Sequence, residues 1–185
     1  MKEFRIELNC PMIYIISGTN RSAAKSPLVA KLYVEILKDL GAEAEVLDLR
    51  DLPRDFVFSA LYENAGSNEA FNSFRKKMVL GSKFVFIVPE YNGSFPGVLK
   101  AFIDGLEYPY SFRDKKCALL GLSSGDQGGG PALSHLTDIF NYCGMHVMAW
   151  RLRLAHIDRS FENGMLVNEK HLEAIRAQAK QFIDF

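Results

Sequence analysis

A chain of 185 residues, 48% hydrophobic and 24% charged, is sized for one domain with a packed core and has neither a disordered nor a fibrous composition. Lys plus Arg and Asp plus Glu are each 22, so no net field favours a nucleic acid or an anionic membrane. No apolar run reaches the roughly 20 residues of a spanning helix, and the opening MKEFRIELNCP has no signal-like apolar core. Cys10, Cys117 and Cys143 are odd in number and lack CxxC spacing, which reads as free buried thiols in a reducing compartment. A single cytoplasmic domain over residues 1–185, with no nucleic-acid or membrane partner, is the expectation.

The first strand is expected over Met12 to Ser17 and the first helix over Leu28 to Leu40. Between them runs SGTNRSAAKSP, with hydroxyls on Ser17, Thr19, Ser22 and Ser26, the cations Arg21 and Lys25, and Pro27 in the first helical turn. The unpaired amides and positive dipole end of a helix start suit a phosphate. Ser26 can also cap that helix, with or without a ligand. The loop lacks GxxxxGK[ST], which argues against a nucleoside triphosphate.

A second strand over Glu43 to Leu49 leads into the aromatic segment PRDFVFSALYEN, Pro53 to Asn64, and then a helix over Glu69 to Leu80. The third strand, Lys83 to Val88, ends in Pro89-Glu90-Tyr91-Asn92-Gly93, and Pro96 opens a helix over Gly97 to Leu106. Asn92-Gly93 permits positive φ and lets the backbone approach a flat ligand, to which Tyr91 offers a ring and Glu90 a carboxylate. A second aromatic segment, EYPYSFRDK, Glu107 to Lys115, precedes the fourth strand, Lys116 to Leu122. Both aromatic segments read either as interface and pocket rim or as core cover by Phe56, Phe58 and Tyr110.

The fourth strand is followed by SSGDQGGG, a backbone-rich wall in which Ser124, Gly125 and Gly128 can approach a planar ring. A helix over Ala132 to Cys143, a fifth strand over Met145 to Ala149 and a last helix over Glu169 to Ile183 complete the chain. Five βα repeats predict an α/β, flavodoxin-like three-layer sandwich with a five-stranded parallel sheet in the order 2-1-3-4-5. Ligands of such sheets bind beyond the carboxyl ends of the strands, where the three unusual loops meet. A phosphate pocket beside the first strand and a flat slot between the third and fourth match the shape of FMN. His135, His146, His156 and His171 lack metal spacing, and no GxSxG elbow is present.

The segment PEYNGSFPGVLKAFID resembles the PEYN-x-x-x-PG-x-LK-x-x-ID signature of the NADPH-dependent FMN reductase family, and the resemblance extends from about Met12 to the final helix. It implies an enzyme in which Pro89, Glu90, Tyr91, Asn92 and Gly93 hold one side of the flavin, with Ser124, Gly125 and Gly128 at the other. The family's phosphate loop, GS-x-R-x-x-S-x-N/T, implies phosphate contacts from Ser17, Thr19, Arg21 and Ser26. Its second serine is Ala24 here, and one lost hydrogen bond to a charged group, about 1.5–3 kcal/mol, weakens FMN by one to two powers of ten. The implied cycle is ping-pong, from NADPH through the flavin to a quinone, azo compound, metal oxyanion or free flavin, with no catalytic side chain beyond those that orient. A homodimer, or a tetramer built from it, is implied as well. A flavodoxin-type electron carrier and a non-catalytic FMN-binding dimer are the alternatives, and balanced charge speaks against the carrier.

Overall fold

The computed structural model describes residues 12–185; Cys10 and the amino-terminal segment read above lie outside them. Four apolar runs become parallel strands: β1 (Ile13–Ser17), β2 (Ala44–Asp48), β3 (Lys83–Pro89) and β4 (Lys116–Leu122). With β5 (His146–Val147) they form a sheet in the expected order, β2-β1-β3-β4-β5. The helices are α1 (Ser26–Asp39), the single turn α2 (Phe56–Ser59), α3 (Glu69–Leu80), α4 (Gly97–Asp104), α5 (Gly130–Tyr142) and α6 (Glu169–Asp184).

Strand β3 shows why both faces are covered. Val85 and Ile87 join Val29 and Tyr33 of α1 and Ile175 and Phe182 of α6, whereas Phe84, Phe86 and Val88 join Phe71, Phe102 and Phe140 of α3, α4 and α5. All five strand side chains are fully buried, and each such burial is worth about 1.5–3 kcal/mol. A strand apolar at every position is stable only between two helical layers.

The fifth strand departs from expectation. In place of one strand over Met145 to Ala149 there are two pieces, β5 and β6 (Leu152–Leu154), both parallel to β4. From Val147 to Leu152 the chain advances five residues while its partner advances three, from Cys117 to Leu120, so two residues are extruded. The carbonyls stranded by this break are met by Gln178 of α6, fully buried, whose Nε2 donates to Leu119 O and Trp150 O, each at 3.1 Å. The hairpin β7 (Phe161–Glu162) and β8 (Met165–Leu166) was not expected either; it turns on Asn163 and Gly164, both at positive φ.

The aromatic segments divide. Phe56 stacks on Phe71 with ring centroids 5.5 Å apart and Phe112 is buried, but Phe58, Tyr62, Tyr108 and Tyr110 are exposed. Cys117 is buried and Cys143 half-buried, and both are free thiols. Among the described residues no helix is long and apolar enough to cross a membrane.

Gln178→Leu keeps the volume and strands both carbonyls. At about 1–3 kcal/mol for each buried unsatisfied group, the variant is expected to lose about 2–5 kcal/mol in chemical denaturation with an unchanged m-value. A loss below about 0.5 kcal/mol, the range of ordinary surface substitutions, refutes the bridging role.

Candidate functional site

The carboxyl ends of β1, β3 and β4 converge as the topology requires. Between them lies a cleft of about 240 Å³, lined among others by Arg21, Ala24, Ser26, Pro89, Glu90, Tyr91, Ser123 and Ser124. All three loops singled out in the sequence therefore contribute to one concavity. Larger hollows exist between α4 and α5 (about 510 Å³) and beside the β2 end (about 570 Å³), but neither gathers these loops.

The first loop is anchored by Gly18, whose amide donates to Ile87 O at 2.9 Å; a Cβ there would come within 2.9 Å of the same carbonyl. Thr19 is buried, with its Oγ1 3.1 Å from the Tyr91 hydroxyl and accepting from the Arg21 amide at 3.3 Å. Ser26 does not cap α1. Lys25 takes the cap position without a side-chain bond, Pro27 sits in the first turn, and the amides of Leu28 and Val29 both turn to Lys25 O. The Ser26 hydroxyl is fully buried, and its Oγ has no protein partner. Ser17 Oγ and Glu90 Oε2 are likewise buried without partners. Lys25 lies over the Phe161 ring, 5.0 Å from its centroid.

The second loop is a tight turn. Tyr91 and Ser94 exchange backbone bonds of 2.8 and 3.0 Å around Asn92 (φ 52°) and Gly93 (φ 74°), the left-handed pair that a two-residue type I′ turn demands. The Glu90 amide reaches across to Leu122 O at 2.8 Å, fixing this loop to the end of β4. Asn92 and Gly93 stand exposed at the rim.

The third loop is held at both ends. The Ser123 amide donates to Leu154 O and its carbonyl accepts from the Ile157 amide, and the His156 ring lies between Ser124 O (3.2 Å) and the Asp126 carboxylate (2.8 Å). Ser124 faces the cleft, and Gly125 accepts from the Ser123 hydroxyl at 2.8 Å. Gly128 lies elsewhere: at φ +57°, it packs on β6, where a Cβ would come within 2.8 Å of Arg153 Cβ. The cleft also takes Ile157 and Asp158, which the sequence reading did not single out. The alternation Arg151-Leu152-Arg153-Leu154, a period-2 strand signature just upstream, was the available signal.

A helix start with an exposed arginine and an unpartnered buried hydroxyl fits a phosphate ester. The narrow slot between the Pro89–Tyr91 backbone and Ser123–Ser124 fits the edge of a planar ring. The donor set therefore suits FMN.

The sequence profile described as NADPH-dependent FMN reductase matches residues 11–154. An NAD(P)H:quinone oxidoreductase of Solanum tuberosum is 29% identical over 168 residues, covering 88% of this chain and 86% of the relative. An NAD(P)H-dependent FMN reductase of Pseudomonas aeruginosa is 27% identical over 167 residues, 88% of each chain. The solved structure of FerB, a flavoenzyme NAD(P)H:(acceptor) oxidoreductase from Paracoccus denitrificans, superposes with a TM-score of 0.73 over 94% of this chain and 96% of its own at 23% identity, a likeness of fold. With its signature loop, its sheet order and most of its length in register with that profile, the chain belongs to the NADPH-dependent FMN reductase family.

Proposed function

We propose that this single domain, residues 1–185, is an FMN-dependent NAD(P)H oxidoreductase whose cleft at the ends of β1, β3 and β4 is the flavin site. The observation that carries the assignment of residues is the Ser26 hydroxyl, buried without a partner at the start of α1 and lining the same cleft as Arg21. A buried orphan hydroxyl costs the folded chain stability, about 1–3 kcal/mol, unless a ligand meets it.

The remaining roles follow from the contacts. Arg21 and the Ser26 hydroxyl hold the phosphate, with Ser17 beneath them. Thr19 fixes the Tyr91 ring through its hydroxyl, and the Asn92-Gly93 turn presents the backbone of Pro89, Glu90 and Tyr91 to the ring. Ser124 and Gly125 form the opposite edge, and Gly128 keeps that wall close to β6. Bound there, FMN would supply the two-electron transfer from NAD(P)H to a small oxidant. The protein binds, orients and excludes water. A cleft of about 240 Å³ is smaller than the roughly 300–1,000 Å³ of pockets that enclose a ligand, which suits a cofactor left open on one side for a second substrate.

Enzyme is favoured over carrier: the relatives at 27–29% identity are named reductases, whereas the likeness to an archaeal flavodoxin, at 13%, concerns the fold alone. The acceptor is a quinone, azo compound, metal oxyanion or free flavin, and a quinone is the first to test because the potato relative is named for it. The α4–α5 face supports a homodimer. Exposed Tyr108 and Tyr142 border an apolar hollow there, rimmed by Asp138 and the Lys100–Asp104 ion pair, an apolar centre with a polar edge. The free thiols of Cys117 and Cys143 support a cytoplasmic location.

The deciding experiment is anaerobic addition of NADPH to the FMN-loaded protein. Loss of the flavin absorption band within seconds is expected, followed by its return when a quinone is added. A band that persists overturns the reductase reading and leaves the carrier. On the same site, Ser26→Ala is expected to weaken FMN about ten- to hundredfold while leaving the melting temperature of the FMN-free protein equal or higher. Ala24→Ser is expected to tighten FMN. Unchanged affinity in Ser26→Ala refutes the phosphate assignment.

A further inference from the structure

The glycine-rich loop has a second side. Behind it, away from the flavin cleft, lies a cavity of about 560 Å³ whose lining includes Gln127, Ser134, Trp150, Arg151 and Arg153. The two arginines alternate with Leu152 and Leu154, which are buried in the α1–α6 core. Arg151 reaches Thr137 of α5 and the Arg153 guanidinium lies beside Gly130 at the start of that helix, so both project toward α5. Among the described residues neither guanidinium takes part in an ion pair, and the one side-chain bond from Arg151 is a long 3.4 Å contact to Thr137 Oγ1. No carboxylate lines the cavity.

Two forked cations beside an indole suit a phosphorylated aromatic nucleoside: a guanidinium pairs two-pronged with phosphate, and the indole offers a stacking face. The position narrows the choice. Ser123 and Ser124 face the cleft while Gln127 and Gly130, a few residues on, face this cavity. A ligand reaching both would drape one loop.

We propose that this cavity holds the adenosine 2′-phosphate end of NADPH, with Arg151 and Arg153 on the phosphate and Trp150 along the base. The proposal rests on the FMN-dependent reading above and adds to it the part that separates NADPH from NADH. The hollow beside the β2 end is the rival and is weaker on charge. Its Arg50 is spent on Asp48, at 2.6 and 2.9 Å, and Asp51 lines the same space as Arg54.

Trp150 is the single tryptophan of the chain, so its emission reports on this cavity directly. With the FMN-loaded full chain, adenosine 2′,5′-bisphosphate is expected to quench Trp150 at concentrations at least tenfold below those at which 5′-AMP does. In Arg151→Ala/Arg153→Ala that difference is expected to vanish. The ratio of kcat/KM for NADPH to that for NADH falls about ten- to hundredfold, as expected for lost bonds to a charged phosphate. Arg153→Lys, which keeps the charge without the fork, falls between. Equal quenching by both probes, no quenching, or a ratio that drops in Arg54→Ala but not in the double variant overturns the proposal. Failure of the reductase reading is visible separately: NADPH then leaves the flavin band unchanged whether or not the bisphosphate quenches Trp150.

Discussion

One buried carboxamide holds the sheet together where its last strand breaks. Gln178 of α6 donates to Leu119 O in β4 and to Trp150 O in the extruded stretch, and its oxygen lies 3.5 Å from the Tyr33 hydroxyl. Without it, two backbone acceptors would sit unpaired in an apolar layer, at about 1–3 kcal/mol each. The bulge it sustains has consequences along the chain. It turns Trp150 outward and restarts the strand as β6 with Arg153 opposite Gly121 of β4. Gly128 and Gly129 can then close on both: a Cβ at Gly121 would come within 2.4 Å of Gly128 O, and one at Gly129 within 3.0 Å of Gly121 Cα. The wall of the cleft at the β4 end is built on this three-glycine contact.

The cost of the site is visible in the buried polar atoms. Among the described residues four buried side-chain atoms lack hydrogen-bond partners, and three of them, Ser17 Oγ, Ser26 Oγ and Glu90 Oε2, lie at the ends of β1 and β3 or the start of α1. Folding alone would select against such atoms, because each forfeits hydration for nothing. The fourth, Arg75 Nε, belongs to a helix on the opposite layer. Most of the broken local rules cluster around the cleft, whereas a strand packed between layers, such as β3, keeps them.

That division also explains what the sequence could tell. β4 and α3 have the bounds that their apolar patterns predict, because two-sided burial and a 3.6-residue stripe leave periodic signals. The PEYN turn was legible for the same kind of reason: Asn92-Gly93 has few conformations open to it. The break in the fifth strand was not. Its cause joins backbone carbonyls of Leu119 and Trp150 to a glutamine on another element, and no local pattern encodes that contact. Phe58 and Tyr110 could not be separated from Phe56 and Phe112, because irregular segments carry no period from which inward and outward can be told. Ser26 read as a cap or a ligand group; Lys25 in the cap position removes the first.

The glycine-rich loop shows why composition alone misassigns roles. Its glycines read as room for a flavin, yet Gly128 and Gly129, both at positive φ, are required by the close approach of β4 and β6, and Gly125 has no heavy atom within 4 Å of where a Cβ would stand. Only the serine end of the loop meets the cleft, and the Gln127–Gly130 end meets the arginine cavity. His156, bridging Ser124 and Asp126, ties the crest between those ends to the start of the post-β6 turn. The loop thus stands as a partition between the two hollows. Its position is set by strand register on one side and by the His156 contacts on the other, so both faces present parts of one backbone segment.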